Sequence, residues 1–246
     1  MDNQSKDYGQ ENFTLPHDVV QLPSQGVFYK NKKKAIKVGY LTASDENILM
    51  GGANDLTMSL LRAKIYEPDI KVEDLIEGDV EAILIFLRNT AFGSEYTITV
   101  TDPKTNEPFT VDIDLSEIKV KDFQLEEDSN GEYKYFMEKS KNEVSFTFLS
   151  LKQEKEIDEI RKSWNGNGVA PIITKQLEMM IKSVNGNKDL MNIRNLIETL
   201  PIKDSQSFRK FINQVKPGLD LTQNVTTPSG ETIQVEIGFG VEFFRP

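Results

Sequence analysis

The chain has 246 residues, 38% of them apolar, and no cysteine; that is enough for one large domain or two of about 100 residues each, and it excludes disulfides, thiolate metal centres and cysteine nucleophiles. With 39 acidic against 29 basic residues the formal charge is −10, which argues against a broad phosphate-binding surface and so against nucleic acid as a partner. No stretch approaches the roughly 18 consecutive apolar residues of a membrane span, and the polar start MDNQSKDYGQEN lacks the apolar core of a signal peptide, so the expectation is a soluble chain made in a cytoplasm, with no membrane partner.

Residues 1–14 read as a loose polar arm. The following LPHDVVQLPSQGVFY is broken by two prolines and a glycine, and its Val19, Val20, Leu22, Val27, Phe28 and Tyr29 call for packing on the fold or on a neighbour. In AIKVGYL, the alternation of Ile36, Val38 and Tyr40 predicts a strand, and Thr42 three residues before Asp45 predicts a helix cap. The order recurs at EVSFTFLSLKQEKEIDEI, where Val144, Phe146 and Phe148 alternate, Ser150 is placed to cap, and Ile157 and Ile160 open a helical stripe.

A second correspondence runs at a constant offset of 125 residues. Asp79 and Asp204 lie near the start of helical segments, Gly93 and Gly218 close them, and Pro103 and Pro228 each sit in a Val-Thr-x-Pro turn. Around those turns Ile98, Val100, Phe109, Val111 and Ile113, and then Ile233, Val235 and Ile237, follow the period of two of hairpins with one buried face. The fold class expected is α+β, built from two similar strand–helices–β-hairpin units over 36–123 and 144–246, with an extended arm over 1–35 and a connecting acidic and aromatic hairpin over 124–143. That connecting hairpin is expected to turn at Asn130-Gly131, and helices are predicted over 151–163, 170–184 and 188–200. Chance likeness of two ordinary αβ segments stays open beside duplication.

The hairpin VTTPSGETIQVEI has the outline of a zinc ribbon, but its turn offers Thr227, Pro228, Ser229 and Gly230, and the earlier turn Asp102, Pro103, Lys104 and Thr105. Tetrahedral zinc needs four Cys or His ligands, so the hairpins resemble zinc ribbons without metal ligands. EEDSNGE begins like a calcium loop but has Met137 where the closing Glu belongs. His17 is the only imidazole and has no nucleophile partner, adjacent carboxylates such as Glu73 and Asp74 do not face each other on a helix, and the glycines of NGNGV and GFG lack dinucleotide-binding spacing. No catalytic residue, cofactor or metal is therefore expected. The adjacent Phe243 and Phe244 near the end of the sequence require anchoring, either within the fold or on a partner, and Trp164 in SWNG divides between core and interface in the same way.

Four blocks carry a family likeness: QLPSQGVFY at 21–29, VGYLTASDENIL at 38–49, GDVEAILIFLRNTAFGSEY at 78–96 and VEIGFGVEFFRP at 235–246. They resemble the baseplate hub and tail-assembly proteins of T4-like contractile-tailed bacteriophages. Members often carry Cys-Pro-x-Cys at the two turns and end in Phe-Phe-Trp-Pro, where this chain has Arg245 in place of the tryptophan. The resemblance implies a noncatalytic component or assembly factor of the baseplate hub, located in the virion tail, with other baseplate or hub proteins or a second copy of this chain as partners. Leu22, Pro23, Phe28, Tyr29, Trp164, Phe243 and Phe244 are the candidate interface or anchoring residues. A carboxylate-dependent hydrolase of cell-wall glycan and an unrelated soluble protein-binding module are the alternatives.

Overall fold

The computed structural model describes residues 16–50, 55–128, 130–164 and 168–244. The architecture is mixed α+β: four small antiparallel sheets, none closed into a barrel, and seven α-helices among the described residues. Strands β1 (His17–Gln21) and β2 (Ala35–Gly39) pair antiparallel, with His17 opposite Gly39 and Gln21 opposite Ala35. Helices α1 (Ala43–Met50), α2 (Leu56–Lys64) and α3 (Glu77–Phe92) follow. The Asp45 carboxylate accepts from the Thr42 N–H and hydroxyl at 2.7 Å and forms a buried ion pair with Lys64, tying the start of α1 to the end of α2. Asp55 caps α2 by accepting from the Met58 N–H.

Helix α3 buries Val80, Ile83, Leu84 and Leu87, the spacing of one helical face, and Gly93 closes it at φ 84°. It leads into the hairpin of β3 (Glu95–Thr101) and β4 (Pro108–Asp114). Strands β5 (Tyr133–Met137) and β6 (Asn142–Phe146) form the next hairpin. Its reversal lies at 138–141, where Lys141 takes φ 57°, so the expected hairpin around Asn130-Gly131 is corrected. That dipeptide makes a separate turn before β5, held by the Asp128 carboxylate accepting from Asn130 and Glu132 N–H.

Helix α4 (Leu151–Ser163) opens on a capping box between Ser150 and Gln153. The expected helix over 170–184 divides into α5 (Ile172–Met180) and β7 (Ile181–Val184), which adds to β6 as the third strand of its sheet. Leu177, Met180, Ile181 and Val184 are all buried and fit a helical stripe. Pairing with the buried β6 overrides that local pattern. Helices α6 (Leu190–Thr199) and α7 (Ile202–Val215) and the hairpin of β8 (Thr222–Thr226) and β9 (Thr232–Glu236) complete the chain.

Two apolar cores form. The first gathers Leu22, Val38, Leu60, Leu61, Leu75, Ile83 and Leu87, and takes in Leu219, Leu221, Ile237, Phe243 and Phe244 from beyond α7. The second is Tyr133, Val144, Phe146, Ile157, Leu177, Ile193, Phe208 and their neighbours. Phe28 packs against both, with ring contacts to Phe123, Tyr133 and Phe148 at 5.3–5.9 Å. The segment beyond α7 thus reaches the first core through these side chains, and backbone hydrogen bonds fasten its start to the stretch after β4: Asp220 N–H donates to Lys119 C=O and Lys121 N–H to Gly218 C=O.

Candidate functional site

The loop joining β1 to β2 is organised by one carboxylate. Asp79, in the first turn of α3, accepts from Ser24 N–H at 2.9 Å, from the Ser24 hydroxyl at 2.6 Å and from the Tyr29 hydroxyl. Tyr29 in turn accepts from Ile76 N–H at 3.3 Å. Burial lifts the Asp79 carboxyl above the usual aspartate range against the pull of Ser24 and Tyr29, and burial together with Asp79 drives the Tyr29 phenol far up. Every polar group here is consumed inside the fold, so the cluster is a brace for the loop.

Asp204 occupies the matching place in α7. Its carboxylate accepts from Lys139 N–H at 2.9 Å and Ser140 N–H at 2.7 Å, the turn between β5 and β6. Burial would raise this carboxyl, but the two backbone donors outweigh it and hold it low. At the far ends of the other two hairpins, the buried Asp102 accepts from Lys104 N–H in its own turn and from Ser229 N–H at 3.1 Å and the Ser229 hydroxyl at 3.0 Å across the gap. The Thr227 and Ser229 hydroxyls lie 2.9 Å apart beside them. Hydrogen bonds therefore join the two Val-Thr-x-Pro turns tip to tip. Among the described residues no group of three or more His, Cys, Asp or Glu is placed to hold a metal ion.

A third polar cluster lies where α3 meets the end of α7. Gly78 is pressed against Pro217 and Gly218; a Cβ there would lie 2.2 Å from the Pro217 carbonyl oxygen, so only glycine fits. Beneath it Glu81 is pushed up to about 7, by burial first and by Glu77 second, against Leu219 N–H, Lys216 and Lys121. The folded chain holds this proton more tightly than the unfolded chain. The stability it confers is complete below about 4.5 and is lost as pH rises through about 7, a swing of up to about 3 kcal/mol. Glu81→Gln is expected to remove that part of the pH dependence and to stabilise the chain at pH 8; paired melting curves from pH 4 to 8 check it, and parallel curves for variant and parent would contradict it.

Of the seven candidate residues, Leu22, Pro23, Tyr29, Phe243 and Phe244 are buried and Phe28 is half-buried. The Phe243 ring meets Tyr96, Phe239 and Phe244 at 4.9–5.2 Å. Trp164, the residue that ends α4, remains 41% exposed, and Val169 and Ile173 are exposed beyond it. Arg245, at the position where the resemblance suggested a tryptophan, lies outside the described residues.

A model of the family described as T4 bacteriophage base plate protein matches residues 21–245. The chain belongs to that family. No curated protein and no solved structure matches it significantly. Membership of the base plate family assigns the chain a structural and assembly role, not a catalytic one, among other phage base plate proteins. The matched span begins at the last residue of β1 and reaches past the Phe pair, so it includes the second core, all of the first but Val20, and every cluster described above.

The partners of Asp79, the Asp102–Ser229 clasp and the burial of Glu81 are not apparent from the sequence. Asp79 and Pro103 stand out there only through their 125-residue partners, Asp204 and Pro228. That periodicity marks where the clusters lie, without indicating which distant donors complete them.

Proposed function

We propose that this base plate family member is a resident component of the hub at the tail tip, holding its neighbours by protein–protein contact. The observation that carries the reading is Trp164, half-exposed at the end of α4 and followed by the exposed Val169 and Ile173, in a chain whose other large candidate side chains are spent on its own cores. Tryptophan is enriched among the few residues that dominate interface energies. In this reading Trp164 faces a partner, while Leu22, Pro23, Phe28, Tyr29, Phe243 and Phe244 anchor the loop and the terminal segment. The open edges of the two-stranded sheets β3–β4 and β8–β9 supply backbone donors and acceptors to which a neighbour can add a strand.

Two related units, over about 36–123 and 144–246, are part of the same proposal. Their support is the pair Asp79 and Asp204, each buried in the first turn of a long helix and each accepting from the loop of a preceding hairpin, Asp79 from one backbone N–H and Asp204 from two. The clasped turns make the two later hairpins a metal-free pair of ribbons. Trp164→Ala is expected to leave the melting temperature unchanged while lowering incorporation into particles at least about tenfold, the scale of a hot-spot truncation. Normal incorporation of the variant would overturn the role of this face.

A further inference from the structure

Strand β5 is the outer strand of the sheet it forms with β6 and β7. On its inner side Phe136 stands opposite Glu143 of β6. The Glu143 backbone is turned the other way: its N–H donates to the Asn185 side-chain oxygen at 2.9 Å, and its C=O accepts from Asn185 N–H at 2.7 Å, just beyond β7. Backbone groups alternate in direction along an antiparallel strand, so Tyr133, Tyr135 and Met137 bond to β6, while the N–H and C=O of Lys134 and Phe136 point out from the sheet edge. The side chains there are open too. Lys134, Phe136 and Glu138 are exposed at alternate positions, the spacing of one face, and Phe136, at 53%, is the one exposed phenylalanine among the described residues. Lys134 pairs with Glu143 at 3.1 Å, but both side chains of that pair are at least half-exposed, so it holds the lysine only weakly.

An open strand edge with an exposed aromatic beside it is a template for another strand. We propose that β5 pairs antiparallel with β5 of a second copy of this chain, about a twofold axis at Phe136, so that the three-stranded sheets of the two copies run on as one. The exposed face itself selects this occupant. Read in reverse, Lys134, Phe136 and Glu138 are their own complement: Lys134 meets the partner's Glu138, Phe136 meets the partner's Phe136, and Glu138 meets the partner's Lys134. A twofold interface requires such self-complementarity, because one patch serves both sides, and aromatic and opposite-charge pairs are the cross-strand pairs that stabilise a sheet. A lysine on an edge strand ordinarily guards against pairing; here the partner's Glu138 answers it. A register centred on Tyr135 would instead set Glu132 against the partner's Glu138, a like-charge pair. The contact is one strand wide, smaller than the interfaces of stable dimers, so the pairing is weak and reversible in dilute solution. It uses none of Trp164, Val169 and Ile173, and stands apart from the role proposed for that face.

Sedimentation equilibrium of the full chain over about 10 to 500 µM tests the pairing, and the expected result is a monomer–dimer equilibrium with a Kd on the order of 100 µM. Lys134→Glu and Glu138→Lys each set like charges opposite one another twice, and each is expected to weaken the dimer at least about tenfold while leaving the fold intact, since both positions are exposed. Mixed in equal amounts, the two variants regain both opposite-charge pairs and are expected to form a heterodimer about as tight as the parent dimer. A parent that stays monomeric over the whole range overturns the proposal. Either variant dimerising as tightly as the parent, or a mixture that stays monomeric, overturns the self-complementary pairing of β5.

Discussion

Truncating Phe243 to Ala lowers the stability of the folded chain by about 3–5 kcal/mol. Phe243 is fully buried, its ring set edge-on to Tyr96, Phe239 and Phe244, so the lost ring leaves a cavity that its neighbours cannot fill. The effect reaches beyond one side chain, because the Phe pair fastens the segment after β9 to a core built mainly from residues 20–115. The second substitution, Phe244→Ala, falls on a contacting residue and adds less than its own separate value. For a chain of this length, 3 kcal/mol corresponds to a fall in melting temperature of about 6–12 °C. Calorimetry on the single and double variants measures it. A double variant that melts within about 2 °C of the parent would show that this segment carries no stability.

The second large effect is at Asp79. Asp79→Ala removes the acceptor shared by Ser24 N–H, the Ser24 hydroxyl and the Tyr29 hydroxyl, stranding three donors where water is excluded. Each stranded buried group costs about 1–3 kcal/mol, giving a total of about 3 kcal/mol or more. Asp79→Asn keeps the shape and one acceptor oxygen, and its carboxyl was already shifted upward by burial, so it is expected to lose only about 1 kcal/mol. Urea denaturation separates the two: the midpoint falls in the order parent, Asn, Ala at constant slope. Equal stabilities for Asn and Ala would contradict the accounting. A changed slope for Ala would mean that the loop between β1 and β2 has detached and exposed surface.

What could be read from the sequence is what local pattern controls. The alternation of Ile98, Val100, Phe109, Val111 and Ile113 becomes β3 and β4, and Ser150 with its following stripe becomes α4 over the predicted 151–163. Distant partners decide the rest. Residues 181–184 carry a helical stripe and become a strand because β6 is beside them to pair with. The reversal at 138–141 lacks a glycine, while Asn130-Gly131 has the favoured dipeptide and serves only as a turn before β5. The Phe pair announces its need for burial, but only the fold identifies the first core as the place.

Early and late parts of the chain meet where Gly78 is pressed against Pro217 and Gly218 and where Asp102 accepts from Ser229, and Trp164 stands half-exposed at the end of α4.

Quantitative mass spectrometry on purified, intact particles of the source phage, with a known hub protein as the ruler, tests the central claim most directly. A resident hub component appears at a small fixed ratio to that protein in every preparation. Absence from finished particles, with presence in tail-assembly intermediates, would contradict residence and make the chain an assembly factor that departs.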